Sequence, residues 1–231
     1  MIYSARRRYP APGTTSRITG MATDTQLDME SSDLKMAVQR IKDGGVVAIP
    51  TDTLYGLAAD VFNHSAIDRV FAVKGRPKDL ALPVLVSNWG QVERVAKNLS
   101  PQAQALADIF WPGGMTLVVE KAEGLPDQLT AGGPTVAVRM PAHPVPLHLA
   151  EEFGSPITGT SANISGKADP LSLAELTGHI GGLVDQIIMT GPEPNGVAST
   201  VIDISEAMPR LLRQGVIPFE SILETWENGF E

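Results

Sequence analysis

Residues 46–57 read Val-Val-Ala-Ile-Pro-Thr-Asp-Thr-Leu-Tyr-Gly-Leu, an apolar, mostly β-branched run that ends at proline and is followed at once by polar side chains. The run Val46–Ile49 predicts a buried strand, and Pro50 ends it because proline has no N–H to donate to a sheet. Residues 51–53 then bring two hydroxyls and a carboxylate to the end of that strand. The sequence therefore predicts polar chemistry where a buried strand stops.

Helical and strand patterns alternate on both sides of this stretch. Helices are predicted around residues 34–41, 64–74, 101–110 and 222–226, and the capping box formed by Ser172 and Glu175 predicts the start of another. Strands are predicted at residues 84–86, 115–119, 135–138, 187–189, 201–204 and 211–213. Because the two kinds of element are mixed throughout, the expected fold is a single α/β domain with a twisted mixed sheet flanked by helices.

The composition is that of a globular protein: 43% of the 231 residues are hydrophobic and 19% are charged. The absence of cysteine excludes disulfides and cysteine-based metal sites, and it is compatible with a reducing compartment. No apolar run approaches the roughly 18–20 residues of a membrane span. We therefore expect a soluble, cytoplasmic protein that does not bind membranes.

Charge divides the chain into two parts. Residues 1–20 contain Arg6, Arg7, Arg8 and Arg17 and no acid, so 14 of the 18 basic and all 26 acidic side chains lie in the remainder, which has a net charge of −12. Residues 1–27 are predicted to be a disordered tail, either a transit peptide that would direct the protein to an organelle or the product of an upstream start before Met21. Residues 28–231 are the predicted folded domain. Its acidity argues against stable direct binding of a long nucleic acid such as tRNA.

Two common catalytic signatures are incomplete. The segment 161–168 lacks the first glycine and the final Ser or Thr of a phosphate-binding P-loop. Residues 159–163 read Gly-Thr-Ser-Ala-Asn, so Ser161 is not in a complete Gly-x-Ser-x-Gly nucleophile elbow. A serine hydrolase with His148 or His179 as its base is disfavoured but stays open, and the histidine spacing does not indicate a metal site.

Polar segments recur where predicted elements end. Lys74 and Arg76 suit a polyphosphate because lysine offers a point charge and arginine a bidentate fork, although a solvated helix end explains the same pair. Later segments contain Arg139, residues 161–166, Ser199 and Arg213. Turns use such residues too, but one crevice outside successive strand ends accounts for all of them together.

The segments PTDTLYGLA, KGRP, WPGG followed by MTLV, VAVRMPAHP, SANISG, STVID and RQG, in this order, resemble the YrdC-like family of threonylcarbamoyl-adenylate synthases. The similarity runs from about Leu34 to Ile217. It implies a YrdC-like domain that condenses L-threonine, bicarbonate or carbon dioxide, and ATP into threonylcarbamoyl-AMP and pyrophosphate. A separate transferase would then modify the adenosine beside the tRNA anticodon.

The resemblance also implies roles for nine side chains. Lys74 and Arg76 would be catalytic, meeting the phosphates and the carbamate. Thr53, Arg139 and Ser199 would bind threonine, with Arg139 on its carboxylate. Arg76, Thr135, Ser161, Asn163 and Arg213 would hold the nucleotide. ATP is a substrate, and a magnesium ion is expected with it, held mostly by ATP and water, so that no protein residue is assigned as a metal ligand.

The chain departs from the family pattern at two positions. Leu80 stands where many relatives have asparagine, and Leu85 stands where some have histidine, so one nucleotide contact and one threonine contact are expected to be missing. The chain resembles the short, single-domain members of the family. Two alternatives are an RNA-binding module of the same fold without catalysis and a relative that forms carbamoyl-adenylate.

Overall fold

The computed structural model describes residues 31–228, so the predicted tail at residues 1–27 lies outside the described residues. The helices are α1 (Ser32–Lys42), α2 (His64–Lys74), α3 (Trp89–Val95), α4 (Pro101–Phe110), α5 (Pro144–Phe153), α6 (Leu173–Ile180) and α7 (Phe219–Asn228). The strands are β1 (Val47–Ile49), β2 (Gly56–Ala58), β3 (Val84–Leu85), β4 (Met115–Glu120), β5 (Thr135–Arg139), β6 (Ile157–Thr158), β7 (Thr160–Ser161), β8 (Gln186–Ile187), β9 (Thr200–Asp203) and β10 (Arg210–Arg213).

The strands form two mixed sheets. The smaller has the order β7-β2-β1-β8 and the larger has the order β10-β9-β4-β5-β3-β6. β6 and β7 are separated by Gly159 alone, and Asp60 forms an additional bridge to Ile157, so the sheets are joined at this corner. The predicted α/β class, with mixed strands flanked by helices, is confirmed, but the strands are divided between two sheets rather than arranged in one.

Strand alternation in the larger sheet separates the core from the site. In β4, Met115 and Leu117 are buried in the main hydrophobic cluster, and in β5 Val136 and Val138 are buried there too. Successive side chains of a strand point to opposite faces, so Thr116, Ala137 and Arg139 face the other way. A second cluster, built mainly by α1 and α5 with β1, covers the smaller sheet.

Helix boundaries follow local capping chemistry. Ser31, Asn63, Ser100 and Ser172 each accept a backbone N–H in the first turn of the helix that follows, and α2 and α4 have their predicted bounds. Helices α3 and α5 and strands β2 and β7 were not predicted from the sequence. In α5, Pro144 and Pro146 are typical helix breakers, but both occupy the first turn, where proline is tolerated.

The strand expected at residues 187–189 is shifted to Gln186–Ile187, and Met189 lies outside it and is 69% exposed. No helix between residues 31 and 228 has both the length and the apolar character needed to cross a membrane.

Candidate active site

A cavity of about 210 Å³ lies between the two sheets. Six of the nine predicted site residues line it: Thr53, Arg76, Arg139, Ser161, Ser199 and Arg213. They come from the β1–β2 connection, the end of α2, β5, β7, and the start of β9 with its partner β10. The structure therefore brings together residues that are up to 160 positions apart in the chain.

Arg139 is fixed at one end of the cavity. Its Nη1 donates to Thr53 Oγ1 at 2.7 Å, its Nη2 donates to Asp52 Oδ1 at 2.6 Å, and its Nε donates to the carbonyl of Gly113 at 2.8 Å. The side chain is only 7% exposed, and burial lowers the pKa of the guanidinium while Asp52 raises it. One N–H on each terminal nitrogen remains for a ligand, since an arginine has five donors.

Arg213 and Ser199 form the neighbouring wall. Arg213 Nε and Nη2 both donate to the carbonyl of Ser199, at 3.1 and 2.9 Å, and Nη2 also donates to Ser199 Oγ at 3.0 Å. Ser199 Oγ lies 2.8 Å from Thr116 Oγ1. Gly215 permits this arrangement because a Cβ there would stand 2.3 Å from the Ala198 carbonyl oxygen. Burial lowers the pKa of Arg213, while Asp169 raises it.

The side chains of Lys74 and Arg76 lie in different environments. Gly75, between them, has a φ of +56°, a left-handed conformation that ends α2 and turns the chain. Arg76 lines the cavity, whereas Lys74 is only 3% exposed and is not among the lining residues. Sequence spacing alone could not separate them, because the separation depends on that backbone turn.

The Lys74 ammonium holds the segment that follows β7. Nζ donates to Asn163 Oδ1 at 2.8 Å, to the Asn163 carbonyl at 3.1 Å and to the Ser161 carbonyl. An ammonium has three N–H groups, so these bonds use them all. Burial, and secondarily the charge of Arg76, lowers the pKa of Lys74 to about 8. A direct contact between Lys74 and phosphate stays a prediction.

Arg76 keeps most of its donors for a ligand. Its one hydrogen bond within residues 31–228 runs from Nη1 to Thr160 Oγ1 and is long, at 3.4 Å, and Nε is buried without a partner. Burial lowers the pKa of the guanidinium, and the exposed Asp79 raises it. A buried and unsatisfied guanidinium donor points to a ligand that supplies acceptors.

Within residues 31–228, the Ser161 hydroxyl has no hydrogen bond to a base that could activate it as a nucleophile. Its Oγ donates to Asn163 Oδ1 at 2.7 Å, and no histidine between residues 31 and 228 lines the cavity. His148 lies beside a groove between α1 and α5, and His179 lies on α6. The geometry therefore gives no support to the serine hydrolase alternative.

Thr135 lies at the opposite end of β5 from Arg139 and does not line the cavity. It shares a face of β5 with Arg139 but is four residues away, or roughly 13 Å along the strand. It lines a separate depression together with Glu120, Lys121 and Ser205. Its role in nucleotide binding stays a prediction.

The departures from the family pattern have a structural counterpart. Leu85 lines the cavity and packs against Gly159, where a Cβ would stand 2.4 Å from the leucine Cγ. Leu80 is 46% exposed and is not among the lining residues. The cavity also contains Thr116 and Asp169, which the sequence analysis did not select. The period-2 alternation of β4 could have indicated Thr116, whereas no spacing signal marks Asp169.

Comparison with known proteins agrees with this architecture. Residues 39–215 match the Sua5/YciO/YrdC family model, which is described as "Telomere recombination". The chain is 43% identical over 194 residues to a threonylcarbamoyl-AMP synthase of Pyrococcus abyssi, covering 84% of this chain and 57% of that protein. It is 38% identical over 197 residues to a putative threonylcarbamoyl-AMP synthase of Mycobacterium tuberculosis, covering 85% of this chain and 90% of that protein.

Solved structures give the same result. P. abyssi Sua5 complexed with L-threonine has a TM-score of 0.80 at 43% identity, over 83% of this chain and 56% of that one. Escherichia coli YciO, at 24% identity, has a TM-score of 0.75 over 82% of this chain and 92% of that one, which shows the fold. Because the family model matches residues 39–215, which is more than half of the chain, the chain belongs to the Sua5/YciO/YrdC family.

Proposed function

We propose that this protein is an L-threonylcarbamoyladenylate synthase, which joins L-threonine, bicarbonate or carbon dioxide, and ATP. The observation that carries the proposal is a single cavity with the Arg139–Thr53 pair at one end and the ligand-free donors of Arg76 beside it. The names of the relatives and the L-threonine in the P. abyssi Sua5 structure support it. The chain spans 57% of the P. abyssi relative, so the activity is proposed for this chain rather than transferred from the longer one.

Threonine would bind at the Arg139 end. The two remaining N–H groups of Arg139 match the two oxygens of a carboxylate, and such bidentate pairs add orientation as well as energy. The Thr53 and Ser199 hydroxyls stand nearby in the same cavity and offer hydrogen bonds to the threonine side chain and amine. Asp52 offsets the charge of the buried guanidinium.

The triphosphate would bind between Arg76 and Arg213. These two guanidinium groups face one cavity, and Ser161 and Thr160 offer hydroxyls beside them. Lys74 would act indirectly, because its three hydrogen bonds hold residues 161–163 in place. This arrangement positions an anion and needs no covalent nucleophile, which agrees with the fact that Ser161 Oγ bonds to Asn163 and to no base among residues 31–228.

The proposed reaction has two steps. The threonine amine and bicarbonate give a carbamate and water. A carbamate oxygen then forms a bond to the α-phosphorus of ATP, the bond from that phosphorus to the β-phosphate oxygen breaks, and pyrophosphate leaves with the electron pair. Arg76 and Arg213 would stabilise the charge that grows on the departing pyrophosphate.

A magnesium ion is proposed to enter with ATP, and it would neutralise phosphate charge. The residues present fit one: Asp169 lines the cavity and its Oδ1 is buried without a hydrogen-bond partner among residues 31–228. In the same part of the chain no group of three or more acidic or histidine side chains could bind a metal by itself. The nucleotide would thus supply most of the ligands.

Several wider predictions belong to the same proposal. The product would pass to a tRNA threonylcarbamoyl transferase, and the protein would work in the cytoplasm. The two alternatives, an RNA-binding module and a carbamoyl-adenylate-forming relative, make different predictions. The first predicts salt-sensitive RNA binding without ATP turnover, and the second predicts turnover that does not need threonine.

Pyrophosphate release tests the proposal. Purified protein is incubated with ATP and magnesium, and threonine, bicarbonate, both or neither are added to carbonate-depleted buffer. We expect release only when both are present, since the attacking oxygen belongs to the carbamate that they form. Equal release with ATP alone, or with serine, valine and threonine alike, would contradict the assignment.

A further inference from the structure

Asp169 is a carboxylate in a cavity whose other charged side chains are all arginines. It follows the 161–166 segment and lines the same cavity as Arg76 and Arg213. Its Oδ1 is buried and accepts no hydrogen bond, and none of the ion pairs within residues 31–228 includes it. A buried carboxylate oxygen without a partner is costly, so its presence calls for a ligand that the protein itself does not provide.

The surrounding charges restrict what that ligand can be. Asp169 raises the pKa of Arg213 and of Lys74, so its field reaches one guanidinium proposed to bind the triphosphate and the lysine that holds residues 161–163. A carboxylate next to a triphosphate is repulsive unless a cation lies between the two. Asp169 would therefore weaken the binding of metal-free ATP and strengthen the binding of ATP that carries a divalent cation.

We propose that Asp169 is the protein's ligand for the Mg²⁺ that enters with ATP. Mg²⁺ in nucleotide sites is commonly held by one or two carboxylates together with phosphate oxygens and water, which matches a single acid in this cavity. The assignment rests on the proposed function, because it requires the triphosphate to lie beside Arg76 and Arg213. It gives the cavity a means of selecting magnesium-bound nucleotide over free nucleotide.

The test is a binding cycle on the full chain. The Kd of ATP is measured by calorimetry for wild type and for Asp169→Asn, in EDTA and in saturating Mg²⁺, with threonine and bicarbonate omitted so that no turnover occurs. Wild type should bind ATP more tightly in Mg²⁺ than in EDTA. The ratio of the two Kd values should be smaller in Asp169→Asn by about 10- to 100-fold, the range for disturbed metal sites. In EDTA the variant should bind ATP more tightly than wild type.

Asp79→Asn is the matched control. Asp79 is exposed, raises the pKa of Arg76 and is not among the residues lining the cavity, so its loss changes the field without removing the proposed ligand. Asp79→Asn should change the ATP affinity by the same factor in EDTA and in Mg²⁺, so the ratio of the two Kd values should stay that of wild type. Circular dichroism and thermal melting establish that each variant is folded.

A second measurement uses the unmutated protein. Mn²⁺ replaces Mg²⁺, the aspartate carboxylates are labelled with ¹³C, and electron–nuclear double resonance is recorded with ATP bound. A ¹³C coupling of a directly bound carboxylate is expected, and its loss in Asp169→Asn would assign it.

Three results would overturn the proposal. They are a ratio of the ATP Kd values in EDTA and Mg²⁺ that is the same in Asp169→Asn as in wild type, an equal loss of ATP affinity in both buffers, and no carboxylate coupling. A wild type that binds ATP in neither buffer would contradict the proposed function and the assignment with it.

Discussion

Lys74 Nζ lies 2.8 Å from Asn163 Oδ1 and donates a hydrogen bond to it. The same nitrogen donates to the Asn163 carbonyl, and the asparagine Oδ1 also accepts from Ser161. The lysine therefore joins the end of α2 to the segment that follows β7. This relationship links the charge of Lys74 to the stability of the protein.

The buried ammonium should make stability depend on pH. The pKa of Lys74 is lowered to about 8 in the folded state, against 10.5 for the free side chain, so above pH 8 the unfolded state binds more protons. The free energy of unfolding should rise by up to about 3 kcal/mol from Lys74 between pH 8 and 10.5. Urea unfolding of wild type and Lys74→Met measures this, and a difference between them that does not change with pH would contradict it.

Arg76 should act mainly on the transition state, because the charge of pyrophosphate grows as it departs. Arg76→Ala is expected to lower kcat by a factor on the order of 10²–10³, as for loss of one preorganised electrostatic contact. Arg76→Lys should recover only part of this, since a point charge cannot replace the fork. Lys78→Ala, at an exposed pair with Asp68, is the control. A kcat of Arg76→Ala within about twofold of wild type would mean that Arg76 does not stabilise the transition state.

Asp52 should determine how well Arg139 binds threonine. Asp52→Asn keeps the size of the side chain but removes the charge that fixes the guanidinium, so the KM for threonine should rise at least about tenfold, equivalent to 1.4 kcal/mol. Arg139→Ala should raise it further, with a smaller effect on kcat and little on ATP affinity. Steady-state kinetics at saturating ATP measure both, with Asp68→Asn as the surface control. An unchanged KM in both variants would place threonine elsewhere.

Ser161 should bind nucleotide without being a nucleophile. Ser161→Ala removes one neutral hydrogen-bonding group, so we expect ATP affinity to fall by roughly 2- to 13-fold, equivalent to about 0.5–1.5 kcal/mol, with activity still measurable. Labelling with a fluorophosphonate probe is the direct check. Stoichiometric labelling of Ser161, together with complete loss of activity in the variant, would favour a hydrolase instead.

Much of the site could be anticipated because its residues end recognisable elements. Thr53 follows β1 and Arg139 ends β5, so strand prediction placed both at an edge where ligands bind. Lys74 and Arg76 could not be distinguished, because the left-handed turn at Gly75 sends their side chains apart. Asp169 lies in an irregular segment, and its position depends on tertiary packing that no local pattern records.

The central claim is that threonine, bicarbonate and the AMP part of ATP become one molecule in this cavity. The most direct measurement supplies [¹⁴C]bicarbonate and [α-³²P]ATP together with threonine, quenches the reaction rapidly and separates the products. One nucleotide species carrying both labels, formed only with threonine and strongly reduced in Arg76→Ala, is the predicted result. Labels that never appear in the same species, or a ³²P product that forms equally without threonine, would contradict the account.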